Sequence, residues 1–337
     1  MADKIKIAIN WASACGGCDV SLLDIEEKIF DIVSIADIVF WPVAMDFKRK
    51  DLMDAPNKSI DIGLFNGAIR STEQAEDAEI LREKCKVLIA YGSCACFGGI
   101  PGLANVSNKE EIFQEVYQKT PSTVNPDNVY PQEECTVNDM KLELPGLFDT
   151  VQSLHQRVDV DYYLPGCPPP TERILDAVQV IAAYAQQGDL PPKGAVIASE
   201  KAMCDTCKRI KTRTPERIST IYRPHEIIAD ENICFLEQGI LCMGPFTRDG
   251  CTHSCINANM PCRGCFGPLS TLYDPGAEAL STFGSIVGEA QEDFQTRAQI
   301  VKSVNTIKDP LGTIYRFTFP CALVNRTLKD EKNDMGA

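Results

Sequence analysis

Over the first 190 positions the apolar residues switch between two spacings. Short, largely apolar segments at Lys4–Asn10, Ile38–Val43, Ile60–Phe65 and Lys86–Tyr91 have the length of buried strands. Asp161–Leu164 reads as a further, last strand. Between the runs, Asp19–Phe30 sets Leu22, Leu23, Ile25, Ile29 and Phe30 at helical spacing. Ser71 or Thr72 is placed to cap a helix through Ala75, Ala78 and Leu81 to Lys84. A long helix is predicted over Thr171–Gln186, after Pro168-Pro169-Pro170. Strands alternating with helices predict an α/β fold: a parallel sheet with helices on both faces. The stretch Tyr117–Pro145, rich in Pro, Asn and Asp, reads as a long irregular loop. Gln187–Pro192 marks the clearest boundary. Beyond it regular periodicity fades, and eight of the 16 Cys lie between Cys204 and Cys265. Such a region has little apolar core of its own and needs staples. The last dozen residues are charged and are expected to fray.

Charge and hydropathy narrow the function. The chain of 337 residues carries 33 Lys and Arg against 47 Asp and Glu, a net charge of −14. A groove tracking nucleic acid needs the opposite sign, so no nucleic-acid partner is expected. The longest apolar run is about eight residues, around Ile38–Met45, too short to span a bilayer. The N-terminus has neither the apolar core of a signal peptide nor an Arg-Arg pair, so a cytoplasmic chain is expected. In that reducing compartment 16 Cys point to metal ligation before disulfides.

The cysteines fall into constellations. Cys15-Gly-Gly-Cys18, Cys94 in Gly92-Ser-Cys-Ala-Cys-Phe-Gly-Gly99, and Cys167 in Leu164-Pro-Gly-Cys-Pro-Pro-Pro170 each follow a predicted strand. Loops at the carboxyl ends of parallel strands line one crevice, so four thiolates can converge there on an iron–sulfur cluster. Cys96, two residues past Cys94, is a competing ligand or a small buried residue. The second set is Cys204-x2-Cys207, Cys234-x7-Cys242, Cys251-x3-Cys255 and Cys262-x2-Cys265. Eight thiols suffice for two four-Cys sites, and either iron–sulfur clusters or zinc can take four thiolates. Cys85 and Cys321 read as packing residues, and Cys135 falls in the long loop without an assigned role.

With these motifs in view, the chain resembles the small subunits of [NiFe] hydrogenases. Asp61-Ile-Gly-Leu-Phe-Asn-Gly-Ala68, Cys234-Phe-Leu-Glu-Gln-Gly239 and Cys242-Met-Gly-Pro245 extend the match, in consistent order, over about Ile5 to Cys265. The resemblance implies a flavodoxin-like parallel-sheet domain over 1–190, then a Cys-rich, mostly irregular or helical iron–sulfur domain over 191–337. It implies three [4Fe-4S] clusters. Cys15, Cys18, Cys94 and Cys167 would hold the proximal one. Cys251, Cys255, Cys262 and Cys265 would hold the medial one, and Cys204, Cys207, Cys234 and Cys242 the distal one. Hydrogen would be split at a nickel–iron centre in a separate large subunit, so no catalytic residue is expected here. Periplasmic relatives begin the distal set with His and often lack the fourth medial Cys. Cys204 and Cys255 therefore point to the cytoplasmic group of F420-non-reducing hydrogenases, whose partner is a heterodisulfide reductase. F420-reducing hydrogenases are close behind. In either case an iron–sulfur or flavin subunit would accept the electrons. The related subunit of complex I is shorter and carries adjacent Cys near the first motif, features this chain lacks. A zinc-stapled scaffold without redox function is the alternative of a different class.

Other residues have plainer readings. Asp19 beside Cys18 is read as a helix cap before a proton carrier. His155, His225 and His253 form no ligand motif, although His253 lies between Cys251 and Cys255. Lys48-Arg-Lys50 and Lys208-Arg-Ile-Lys211 are read as solvated basic runs, with docking to a partner second. The first loop carries Cys-x-x-Cys where a phosphate cradle needs Ser, Thr and Gly, which argues against flavin.

Overall fold

The computed structural model describes residues 4–212, 218, 220–288, 298, 301 and 305–326. Five strands form its main sheet: β1 (Ile5–Trp11), β2 (Ala36–Phe40), β3 (Ile60–Asn66), β5 (Cys85–Tyr91) and β9 (Tyr162–Leu164). All neighbours are parallel, in the order β2-β1-β3-β5-β9. Taken as the five strands of one sheet this is the 2-1-3-4-5 order of flavodoxin-like folds, with its switch point between β1 and β3. Two small antiparallel pairs stand apart: β4 (Ile69–Ser71) with β8 (Leu147–Gln152), and β6 (Glu134–Val137) with β7 (Met140–Glu143).

Strand alternation divides the core in two. Ile5, Ile7, Ile9, Ile62, Leu64, Val87 and Ile89 face one side. There they pack under α1 (Gly17–Leu23), α2 (Ile29–Ile35) and the helix Thr171–Gln187, through Leu22, Ile32, Ile174 and Ile181. On the other side Ala8, Phe65, Leu88 and Ala90 meet Ala75, Ala78 and Leu81 of the helix Thr72–Lys84. That helix begins with a reciprocal cap: Ser71 Oγ accepts from the Gln74 amide, and Gln74 Oε1 accepts from the Ser71 amide.

Three local expectations change. The helix expected over 19–30 is broken: α1 ends at Leu23, and Glu26 takes a left-handed φ of 55° before α2 begins. Leu22, Ile25, Ile29 and Ile32 keep one helical spacing across the break, so periodicity cannot reveal it. The strand expected to reach Val43 stops at Phe40, because Pro42 has no amide for the ladder and the chain turns onto Trp41 O. The loop expected over 117–145 contains the β6–β7 hairpin.

After Gly188 closes the helix Thr171–Gln187 in a left-handed conformation, the chain does not leave the sheet at once. Residues 195–197 run beside β9, with Tyr163 N on Ala195 O (3.1 Å) and Ile197 N on Tyr163 O (2.8 Å). Beyond them regular structure is sparse among the described residues: single turns Met203–Thr206 and Ser254–Asn257, the longer helix Pro275–Ile286 and the short helix Pro310–Ile314. The start of the helix Pro275–Ile286 is capped by Asp274, which accepts from the Gly276 and Ala277 amides. The charged tail expected to fray, from 327 onward, lies outside the described residues. Among the described residues no helix is long and apolar enough to cross a membrane.

Candidate iron–sulfur site

All four loops after β1, β3, β5 and β9 open at the carboxyl end of the sheet, and three of them carry the first group of cysteines. Cys15 and Cys18 follow β1, Cys94 sits in the short helix Gly92–Phe97 directly after β5, and Cys167 follows β9. The four thiols lie within electrostatic reach of one another. Burial raises the pKa of Cys18 far above that of an ordinary thiol, and the neighbouring Cys94, Cys167 and Cys15 raise it further. Cys94 is pushed up to about 12, by burial first and then by Cys167 and Cys15.

Polar side chains hold this arrangement. The fully buried Tyr91 hydroxyl, at the end of β5, bonds the Ser21 hydroxyl (2.7 Å) and donates to Cys18 O (3.0 Å). Asp19 does not cap its helix. It is buried, and accepts from Trp41 Nε1 (2.9 Å) and from Asn66 Nδ2. Burial raises its pKa, against those two hydrogen bonds. Both sides of Cys18 are thereby tied to the sheet. Glycine is required at the rim. Gly92 has φ +82°, and a Cβ there would overlap the Cys18 sulfur. Gly99, at φ +57°, would in the same way overlap Cys94.

The second half brings its eight thiols into two neighbourhoods. Cys251 and Cys255 both act on Cys265, and Cys265 and Cys251 act on Cys262. Cys204 and Cys234 act on Cys242. Burial lowers the pKa of Lys211, but Cys204, Cys207 and Cys234 together hold it above an ordinary lysine. Cys242 is pushed up to about 12 by burial, and Cys262 and Cys265 are also strongly raised by burial. The neighbourhoods touch in series: Cys167 and Cys255 also act on Cys265, and Cys242 acts on Cys262.

Backbone amides point at these sulfurs. Ile100 donates to Cys94, His253 and Ser254 to Cys251, Gly264 to Cys262, Leu236 and Glu237 to Cys234, and Gly244 to Cys242. Such donors favour sulfur bearing negative charge. All twelve thiols are free of disulfides. The most deeply buried of them, Cys18, Cys242 and Cys262, ionise only if a cation compensates them, which suits thiolate ligation of iron. Among the described residues, no three His, Cys, Asp or Glu side chains are grouped to hold one metal ion.

The remaining candidates lie elsewhere. Cys96, in the helix Gly92–Phe97, donates to Ala90 O of β5 (3.3 Å) and is fully buried. Cys85 opens β5, buried against Gly63, and is pushed up to about 12 by burial. Cys321 donates to Ser153 Oγ (3.4 Å) and burial raises it to about 11. Cys135 lies exposed on the β6–β7 hairpin, opposite Leu142. His253 Nε2 shares a hydrogen bond with Thr206 Oγ1 (3.0 Å) and so links the Cys251–Cys255 and Cys204–Cys207 loops. The basic runs are not uniformly solvated. Arg49 binds Asp77 and Glu76, and Arg209 is buried over the Phe235 ring with bonds to Asp230 O, Ile233 O and Asn259 Oδ1. Sequence spacing missed Tyr91, Ser21, Trp41 and Asn66 as supports of Cys18; only the position of Tyr91 at a strand end hinted at such a role.

Comparison with known proteins shows the family. Residues 15–181 match the family described as NADH ubiquinone oxidoreductase, 20 Kd subunit. The iron–sulfur subunit of the F420-non-reducing hydrogenase of Archaeoglobus profundus is 40% identical over 330 residues, covering 96% of this chain and 99% of that protein. The corresponding F420-non-reducing hydrogenase subunit of Methanothermobacter thermautotrophicus is 35% identical, covering 98% of this chain and 99% of that one. A chain of the H2-activated [NiFeSe]-hydrogenase of Dm. baculatum shares the fold at TM-score 0.51 and 18% identity, over 79% of this chain and 95% of that chain.

Proposed function

Because this chain belongs to the [NiFe] hydrogenase small-subunit family, with F420-non-reducing hydrogenase subunits among its relatives, we propose that it conducts electrons away from a hydrogen-splitting large subunit. It is thus a subunit of an oxidoreductase complex. Three [4Fe-4S] clusters, when bound, supply one-electron carriers. Cys15, Cys18, Cys94 and Cys167 are the proposed proximal ligands. Cys251, Cys255, Cys262 and Cys265 are the medial ones, and Cys204, Cys207, Cys234 and Cys242 the distal ones. The observation that carries this reading is the serial arrangement of twelve disulfide-free thiols, nine of them buried or half-buried and Cys15, Cys167 and Cys255 exposed, each group rimmed by amide donors.

In this reading the cysteines bind, the amides stabilise negative charge on sulfur, and burial excludes water. Together these set the potential at which each group works. Asp19, Tyr91 and Ser21 orient the first thiols. Residues 1–190 form the domain facing the large subunit, and 191–337 the domain facing the electron acceptor. We take the acceptor to be an iron–sulfur or flavin subunit of a heterodisulfide reductase complex, and the setting to be the cytoplasm. The F420-non-reducing names of the relatives support this over an F420-reducing enzyme. The hydrogenase subunits among the relatives support clusters over a zinc scaffold.

Anaerobic purification of the native complex, with metal and sulfide analysis and identification of its subunits, tests the proposal. The expected result is a nickel-bearing partner and about twelve iron and twelve sulfide per chain, beyond the large-subunit centre. Zinc without sulfide or nickel would overturn it. An F420-binding flavoprotein in the complex would overturn the choice of acceptor alone.

A further inference from the structure

Three cysteine-bearing loops meet at one serine. Ser93 stands between Gly92 and Cys94 at the start of the helix Gly92–Phe97, and is 1% exposed. Its amide donates to Gly166 O (2.8 Å), the residue before Cys167. Its hydroxyl donates to the carbonyl of Cys265 (2.6 Å), 172 residues further on. A serine in the first turn of a helix ordinarily bonds to nearby backbone. This one reaches out of its own region instead. It thus joins both proximal loops beyond β5 and β9 to a cysteine of the medial group. Close by, the Cys167 amide donates to the Cys265 sulfur.

The other junction is built differently. Met243 N donates to Cys262 O (3.0 Å), and the Cys262 amide donates to the Cys242 sulfur. Side chains cross there too, Thr206 Oγ1 with His253 Nε2 (3.0 Å) and Arg209 Nη2 with Asn259 Oδ1, but Ser93 is not among them. The proximal–medial junction therefore depends on Ser93 and the medial–distal junction does not, so the latter supplies an internal control.

We infer that Ser93 is a positioning residue that fixes the separation and orientation of the proximal and medial cysteine groups, and with them the electron path between the two. It ligates nothing itself. Its hydroxyl satisfies a carbonyl that would otherwise be stranded in a buried junction. The inference rests on the cluster assignment proposed above, and its test separates the two.

The whole complex is purified anaerobically in wild-type, Ser93→Ala and Ser93→Thr forms. Iron is counted, and the magnetic interaction between reduced neighbouring clusters is read by electron paramagnetic resonance. A wild-type complex without clusters defeats the functional reading, not the role of Ser93. With clusters present, Ser93→Ala is expected to weaken the proximal–medial interaction and to leave the medial–distal one unchanged. Ser93→Thr, which keeps the hydroxyl, is expected to restore it. An unchanged proximal–medial interaction in an iron-replete Ser93→Ala complex overturns the inference, as does equal loss at both junctions. If Ser93→Ala fails to load iron, Ser93→Thr decides: a wild-type interaction supports the role, and an altered one overturns it.

Discussion

The two halves of this molecule solve the same problem, burial of thiols, with opposite means. In the sheet half Cys15, Cys94 and Cys167 sit outside the core, and Cys18 joins a core that other residues mostly fill. Its two faces are filled by Ile, Leu, Val and Ala from five strands and the helices across them. In the Cys-rich half the thiols are part of the core. One buried cluster there consists of Met203, Ala229, Phe235, Ile240, Cys242 and Cys262, and the other of Leu241, Met243, Phe246, Ala279, Phe283 and Ile314. Clusters this small cannot offset the backbone entropy of so much irregular chain. The lesson is that the same residue type is a passenger on one scaffold and a structural staple in the next.

The strongest test of that contrast is to remove the metal. Stripping iron oxidatively, with a chelator present, is expected to unfold the region around residues 204–265 and leave the sheet standing. Hydrogen exchange should show protection lost there and kept in β3 and β5. Loss of both together would show that the sheet is stapled as well. Next in its effect on the iron sites is Gly92→Ala. The left-handed backbone and the nearby Cys18 sulfur leave no room for a Cβ, and strain of about 1–3 kcal/mol is expected. The iron content should fall by about four atoms of the twelve, because only one four-iron site is touched. A full complement of iron in that variant would break the proximal assignment.

Leu81→Ala reads the sheet half alone. Leu81 is fully buried between the helix Thr72–Lys84 and the sheet, so its truncation is expected to cost about 2–5 kcal/mol. The loss should be equal with and without iron if the first half is independent of its thiols. Denaturant unfolding followed by sheet-specific exchange would measure it.

What could be read from the chain follows the same division. The strands and the helix Thr72–Lys84 were legible because burial on both sheet faces writes apolar runs, and because Ser71 marks a start. The Cys groups were legible through their Gly and Pro company. The β6–β7 hairpin was hidden. Its apolar face of Cys135, Val137, Met140 and Leu142 is only four residues, set in a stretch of Pro and Asn. Arg209 looked like part of a solvated run, because no local pattern announces Phe235 or Asn259 as its partners. Ser93 stood out in its motif for its neighbours alone. Its partner is 172 residues away, and no spacing rule spans that distance.

The smallest effect expected is electrostatic and lies at the other end of the sheet from the thiols. Asp161, at the entry to β9, accepts from Arg82 Nη1 (2.5 Å) and from the Leu88 amide (2.8 Å), and lies 3.4 Å from Lys193. Burial pushes its pKa up, but the Arg82 and Leu88 hydrogen bonds and the positive charge of Arg82 outweigh it, so the carboxyl is held below its usual range. A depressed folded pKa means stability that is fully present above the unfolded value, about 3.9, and is lost as pH falls through the lower folded value. Asp161→Asn removes the charge and keeps the shape. It is expected to cost about 1–3 kcal/mol at neutral pH, the range for a charged hydrogen bond lost at a partly buried site. Its stability should also fall less steeply than wild type below about pH 4. Iron content should be unchanged, because Asp161 touches none of the cysteine loops. A drop in iron with this variant would mean that the edge strand transmits strain to Cys167, and that the sheet is a less independent platform than its core implies.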